Sequence, residues 1–425
     1  MSGILSGYRS FGAPTRLLLL NQLTINLGFY MLMPYLAVHL SGDLALAGWT
    51  VGLILGVRNF SQQGMFLIGG TLADRIGYKP LIVAGCALRT AGFALLGVAD
   101  AVPALLVASA ATGFAGALFN PAVRAYLAHD SGSRRVEAFA LFNVFYQAGV
   151  LLGPVVGLAL TAVDFRLTCL VAAAVFAVLT GLQIRALPGA QAGRAEDREP
   201  VTAVWRSVLA NRPFLLFAAA MIGSSVLSFQ VYLALPLEAR RIAGAETAGT
   251  VLVAAVFVVS GGLAIAGQLK VTAWFTCRLG PTRSLITGLA LMGAAFLPPA
   301  LTAASTPNSP VLPAAALLLS AALLALGTIV VFPFELDMIV TLARDRLVAT
   351  HYGLYNTIVG VGILLGNLLT GTALDLARAA GLPWLPWVAL ACLGLLCAAS
   401  VRALARSGRL TPDQPSPDPL PAQRV

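Results

Sequence analysis

Gly69-Gly70-Thr71-Leu72-Ala73-Asp74-Arg75-Ile76-Gly77-Tyr78-Lys79-Pro80 is a short charged turn between two apolar runs, residues 48–73 before it and 80–99 after it. Each run is about 20 residues or longer, enough to cross a hydrocarbon core of roughly 30 Å. Asp74, Arg75 and Lys79 are therefore placed at a membrane surface. Gly77 suits a sharp reversal, and Pro80 suits the first turn of the next helix, where its missing N–H is no loss.

Composition agrees. The 425 residues are 58% hydrophobic and only 10% charged, against about 25% charged in a soluble domain. Mean hydropathy is +0.87. Length alone would allow two or three soluble domains, but the polar surface to cover them is missing. The net charge of +10 does not indicate nucleic acid, because the basic residues lie in short loops between apolar spans. Cys86, Cys169, Cys277, Cys392 and Cys397 show no metal-ligand spacing and no disulfide framework. The first apolar run lacks a small-residue cleavage site and reads as a retained span.

Working outward from the turn gives twelve spans. Six cover residues 16–40, 48–73, 80–99, 103–128, 137–162 and 166–187, and six more cover 213–237, 248–273, 282–301, 311–342, 352–377 and 384–404. Residues 1–15 are a short lead carrying Arg9. Residues 188–212 hold Arg194, Glu196, Asp197, Arg198, Glu199, Arg206 and Arg212 with two prolines, and read as a linker between halves. The tail, residues 405–425, is polar and Pro-rich and reads as disordered. With the N-terminus inside, only Arg166, Arg240, Arg241 and Arg378 fall outside, a bias that orients the chain with both termini and the linker in the cytoplasm.

The halves repeat. Phe139-Ala140-Leu141-Phe142-Asn143 is similar to Tyr352-Gly353-Leu354-Tyr355-Asn356, and Gly149, Leu151, Leu152 and Gly153 match Gly362, Leu364, Leu365 and Gly366 at the same offset. Arg278-Leu279-Gly280 is a worn copy of Arg75-Ile76-Gly77. A direct repeat predicts two six-span halves of the same topology and argues against an inverted repeat.

The opening turn resembles the signature loop between the second and third spans of major facilitator superfamily transporters. That pattern is G-x-L-x-D-R-x-G-x-K, with Gly70, Leu72, Asp74, Arg75, Gly77 and Lys79 in place. In span 5, Gly149-x-x-x-Gly153-Pro154-x-x-Gly157 resembles the antiporter motif of the drug:proton branch, although Leu158 departs from its glycine-pair ending. A generic small-residue packing seam is the other reading of those glycines. Leu27-Gly28-Phe29, Arg58-Asn59-Phe60-Ser61-Gln62-Gln63-Gly64 and Asp164-Phe165-Arg166-Leu167 are similar to MdtH-type multidrug exporters of bacteria. The likeness covers the first half well and the second by span pattern.

The resemblance implies an all-α polytopic membrane protein, twelve transmembrane helices in two pseudo-symmetric six-helix bundles. It implies a secondary active exporter of amphipathic organic compounds in the bacterial cytoplasmic membrane. Protons and a small-molecule substrate would be its partners, with the lipid bilayer around it, no cofactor and a monomeric state. In that family Asp74 would brace a cytoplasmic gate against the start of span 11, where its charge meets the positive helix end. Arg75, Gly77, Lys79 and Asp130 belong to the same gate, with Gly149, Gly153, Pro154 and Gly157. Two departures bear on proton coupling. Tyr78 replaces a basic residue and weakens a relay from Asp74 to Asp130. Span 4 lacks the usual intramembrane arginine, Arg124 standing only near its inner end.

Candidate cavity residues follow from polarity inside spans. Arg58 lies ten residues into span 2, about 15 Å from the surface at 1.5 Å per residue, where an arginine costs roughly 2.5–3.5 kcal/mol on insertion scales. Gln62 follows one turn later. A buried structural arginine satisfied by amides and a functional one are both open. Arg89, in a span peripheral in this fold, reads as structural. Gln22, Asn26 and Tyr30 recur every fourth residue, as do Asn143 and Gln147, and Ser224, Ser228 and Tyr232. Phe29, Met33, Phe145 and Phe229 add apolar surface nearby. Such amides and hydroxyls suit an amphipathic solute or serve as interhelical hydrogen bonds of about 0.6 kcal/mol each. Glu335 and Asp337, after Pro333 in span 10, are the candidate intramembrane carboxylates, pointing to opposite sides of one helix. Glu335 shares a face with Ser320 and Thr328 and is the candidate proton carrier; a solvated position near the inner end is the alternative for both acids.

No enzymatic constellation appears. His39, His129 and His351 lie near span edges, and no zinc, nucleophile-elbow or Walker pattern exists. A dedicated exporter of one metabolite remains open, as does a non-transporting membrane sensor or polytopic enzyme, against which the lack of a soluble catalytic or signalling domain counts.

Overall fold

The computed structural model describes residues 2–32, 36, 39–40, 43–46, 48–161, 163–188, 200–243, 246–303 and 310–410. Among these, every regular element is helical. The first half carries α1 (Ser2–Arg9), α2 (Ala13–Tyr30), α3 (Gly48–Gln63), α4 (Phe66–Ile76), α5 (Tyr78–Val98), α6 (Val102–Ser131), α7 (Arg135–Thr161) and α8 (Phe165–Ala186). α9 (Val201–Ala210) forms inside the stretch read as a linker; Met33, residues 189–199 and the tail beyond 410 lie outside the described residues. The second half carries α10 (Arg212–Phe229), α11 (Ala234–Ala243), α12 (Glu246–Arg278), α13 (Gly280–Ala294), α14 (Leu297–Ala303), α15 (Val311–Ala343), α16 (Val348–Ala379) and α17 (Leu385–Arg406).

Nine segments among the described residues are long and apolar enough to cross a membrane, and one of them, Val102–Gly157, takes in both α6 and most of α7. With α2 and the α3–α4 pair the order makes twelve crossings. Three crossings are broken: α3 yields to α4 at Gly64, α10 to α11 after Gln230, and α13 to α14 before Pro298-Pro299, which have no N–H to continue the ladder. The loosened backbone finds partners locally. Gly64 N donates to Phe60 O at 2.9 Å. Gln230 Nε2 donates to Val226 O at 2.8 Å and to Asn367 Oδ1 at 3.3 Å.

The sequence repeat is a structural repeat. In the first half α2 packs on α7 and α8, α3 on α6, and α5 on α6 and α8. In the second, α10 packs on α16 and α17, α12 on α15, and α13 on α15 and α17, the same pairs displaced by six crossings. Glycines set the closest of these approaches. A Cβ on Gly149 would stand 2.7 Å from Asn26 Cβ, and one on Gly153 would stand 2.6 Å from Tyr30 Cβ. The equivalent Gly366 would meet Val226 at 2.5 Å. α7 thus lies on α2, and α16 on α10, at a separation only a bare Cα permits. Pro154, half-buried, and Gly157, buried, follow further along α7. Gly77 (φ 102°) and its worn copy Gly280 (φ 71°) both take the left-handed backbone that glycine allows.

The halves meet along α4–α16 and α7–α12, flanked by α6–α16 and α7–α15. Phe139 and Tyr352 occupy equivalent places in the repeat, are fully buried, and meet edge to face at 6.4 Å. The pseudo-twofold relation passes between them.

Candidate functional site

A cavity of about 460 Å³ lies between the halves, walled by α2, α3, α5, α6 and α7 on one side and α10, α12, α15 and α16 on the other. Gln22, Asn26, Tyr30, Arg58, Gln62, Asn143, Gln147, Ser228, Tyr232 and Thr328 all line it. Helical geometry explains why. Polar groups four residues apart stack on one stripe, and in a bilayer that stripe turns away from lipid. The hydroxyls are partly engaged by their own helices: Ser228 Oγ donates to Ser224 O at 3.0 Å and Thr328 Oγ1 to Leu324 O at 2.9 Å. Each keeps acceptor capacity toward the cavity. Buried Gln22 has no partner for its Oε1 among the described residues. Tyr30 and Tyr146 hydroxyls lie 3.5 Å apart across the wall. Phe145 instead stacks on Tyr8 of α1.

Glu335 is the one carboxylate among the described lining residues. Tyr355 donates its hydroxyl to Glu335 Oε1. Arg124 is within electrostatic reach of the same carboxylate and donates from Nη1 to Asn356 Oδ1 at 2.7 Å. α6 runs 30 residues, about 45 Å at 1.5 Å per residue. Arg124 stands in the last quarter of α6, near its inner end, and from there lines the cavity. Asn120, one turn earlier, lines it too; the same every-fourth-residue reading applied to span 4 finds both.

Asp337 does not line the cavity. Arg135, at the start of α7, holds it at 3.1 Å and reaches Asp345 at 3.0 Å. The two-residue offset from Glu335 sends the two acids to different surroundings, one facing the cavity and one pairing across the halves.

On the opposite wall Arg58 donates from Nη1 to Asn59 Oδ1 at 2.7 Å and from Nη2 to Gln62 Oε1 at 2.8 Å. Its guanidinium stands over Phe29, 4.3 Å from the ring centre. Arg89 is 5% exposed, lines the same cavity, and sits 5.7 Å from Phe29 and 5.5 Å from Phe176. Arg89, on a span peripheral in this fold, thus lines the cavity as well.

The charged turn sits where the halves touch. Asp74 Oδ1 accepts from Ala349 N at 3.1 Å, and Oδ2 accepts from Thr350 N at 2.7 Å and Thr350 Oγ1 at 2.6 Å. A carboxylate from the first half therefore caps the N-terminus of α16, taking up N–H groups that a helix start leaves unpaired. Leu347, the residue entering α16, supplies no side-chain cap of its own. Tyr78 adds a hydroxyl to Asp74 Oδ1 at 3.4 Å. Gly70 faces the Ala349 carbonyl, and Gly353 faces the Phe66 carbonyl, each too near for a Cβ. Lys79 Nζ donates to Leu187 O, at the C-terminal end of α8, at 2.6 Å. Asp130 accepts from Thr15 Oγ1 at 2.6 Å. Arg75 stands beside Asp74 in the last turn of α4. No cluster able to hold a metal occurs among the described residues.

Residues 18–367 match the family model of the Major Facilitator Superfamily. An uncharacterized MFS-type transporter of Mycobacterium tuberculosis is 54% identical over 397 residues, covering 93% of this chain and 94% of that protein. The multidrug resistance protein MdtH of Yersinia enterocolitica is 29% identical over 385 residues, covering 89% and 91%. That of Shigella dysenteriae is 27% identical over 378 residues, covering 89% and 90%. Among solved structures, an auto-inhibited POT family peptide transporter superposes with a TM-score of 0.64 at 16% identity, covering 93% of this chain and 97% of that one.

Proposed function

The chain belongs to the Major Facilitator Superfamily, and from that premise we propose that this transporter exports small amphipathic organic compounds in exchange for protons. Glu335 carries the reading. It is the carboxylate of the cavity, held by Tyr355 and facing Arg124, at a seam both halves share. A proton on Glu335 and a substrate in the same cavity compete for one set of partners as access alternates. The Asp74 cap and the Arg135–Asp337 pair would hold the turn end shut while the other end is open. The name of the MdtH relatives supports multidrug efflux as the physiological role.

In this reading the turn faces the cytoplasm of a bacterial inner membrane, with both termini and residues 188–212 on that side. The halves at 16–187 and 213–404 work as a monomer. Cysteines placed at 195 and 410, with the five native cysteines replaced, should resist an impermeant thiol reagent added outside intact cells. Labelling there would overturn the topology. The transport test uses proteoliposomes loaded with a panel of amphipathic dyes. An imposed proton gradient should drive dye movement that a protonophore abolishes and Glu335→Gln lacks. Equal movement with and without the gradient would contradict proton exchange.

A further inference from the structure

The charge of the cavity walls is unbalanced. Arg58, Arg89, Arg124 and Glu335 are the charged residues among the described lining, three cations against one carboxylate. Glu335 lies with Arg124, Tyr355 and Asn356 where α6 meets α15 and α16. Arg58 and Arg89 stand together around Phe29. Neither forms an ion pair with a carboxylate among the described residues; Arg58 is met by two neutral amides, and Arg89 by the rings of Phe29 and Phe176. The Nε of each is buried without a hydrogen-bond partner, and Arg89 as a whole is 5% exposed. Two guanidinium groups in a low-dielectric wall repel each other and lack the counter-charge that intramembrane cations ordinarily have. Amides satisfy donors but do not neutralise charge.

We infer that the counter-charge is the substrate: an organic anion whose carboxylate, sulfonate or phosphate is received by Arg58 and Arg89, with its apolar body against Phe29. This rests on the export reading above and names the substrate class for that site. The planar fork of a guanidinium suits a two-oxygen acid group. Phe29, already covered by Arg58, presents its ring at the same place. Placement of the anion away from Glu335 leaves that carboxylate free to carry its proton, so anion and proton occupy separate subsites of one cavity. Outward movement of an anion against inward movement of a proton shifts charge in a single sense, so export responds to membrane potential as well as to the pH gradient.

The experiment uses the full-length purified protein and a matched probe pair, naphthalene-2-sulfonate and naphthyl-trimethylammonium, measured by equilibrium binding and by efflux from proteoliposomes. The sulfonate should bind at least tenfold tighter than the ammonium. Arg58→Gln should cost at least tenfold in sulfonate affinity, and Arg58→Lys, which keeps charge but loses the fork, an intermediate amount. Arg89→Gln tests the second cation, and Arg58→Lys keeps the proposal open to refutation where that variant fails to fold. Inorganic sulfate should displace the sulfonate only weakly. Displacement by sulfate as strong as by the sulfonate itself would overturn the assignment to an organic anion. Tighter binding and proton-driven efflux of the ammonium probe would overturn the anionic class while leaving the export reading intact. No proton-driven efflux of either probe, with tight sulfonate binding, would instead count against the export reading and for this one.

Discussion

The two seams that join the halves at the turn end are equivalent by symmetry and built from different chemistry. Along α4–α16 a carboxylate from one half grips the backbone N–H groups of the other, and paired glycines bring the helices to backbone contact. Along α7–α12 the grip is side chain to side chain: Asn143 Nδ2 donates to Gln268 Oε1 at 2.7 Å, and Gln268 Nε2 passes on to Ile329 O at 2.9 Å. At the rim of α7, Arg135 adds its pair with Asp337. The worn copy of the turn, Arg278-Leu279-Gly280, keeps the positive-φ glycine but no acid in the place of Asp74. A symmetric scaffold thus carries an asymmetric latch. The first seam depends on the absence of side chains and on one charge, and the second on replaceable amides.

That contrast can be broken by substitution. Gly70→Val should have the largest effect, because its side chain enters the space of the Ala349 carbonyl. Overpacking of this kind costs about 1–3 kcal/mol, enough to hold the turn end apart and cut turnover tenfold or more. Asp74→Asn should leave the protein folded and inserted but weaken the cap on α16 by about 0.3–1 kcal/mol, up to about 2 where partly buried. Spectroscopic distances between α4 and α16 should then show a larger population with the turn end open, and turnover should fall. Unchanged distances and turnover would remove the latch from the account. Gln268→Leu on the second seam should cost about 0.6 kcal/mol, a shift of roughly threefold. Arg135→Gln should cost least, about 0–1 kcal/mol, and its effect should shrink further in high salt, because the pair is partly solvent-exposed. A reversal of this order, with Arg135→Gln exceeding Asp74→Asn, would place the main latch on the second seam.

The sequence disclosed what depends on period and punctuation. The turn, the crossings and the direct repeat follow from apolar run length, glycine placement and a fixed offset. Nine of the ten cavity residues follow from polarity at every fourth position, since a bilayer leaves such a stripe one direction to face, and Thr328 follows from the face it shares with Ser320 and Glu335. Less legible were features that need both halves at once. Arg124 reads as a residue near the inner end of its span, but its place in the cavity depends on Asn356, more than two hundred positions away. The two-residue offset already sends Asp337 to the other side of the helix from Glu335, but its partner Arg135, on another helix of the other half, leaves no trace in that span. Arg89 was weighed by the usual place of its span, and no single-span pattern indicates how far a long side chain reaches inward. The breaks in three crossings left only local traces, at Gly64, Gln230 and Pro298-Pro299.

Proton exchange through Glu335 is the claim on which the transport cycle turns, and proton release from purified protein on substrate addition tests it most directly. Wild type and Asp337→Asn should both release protons when a transported compound binds, and Glu335→Gln should bind the compound and release none. Full release from Glu335→Gln would contradict the account, and loss confined to Asp337→Asn would move the proton from the cavity to the seam beside Arg135.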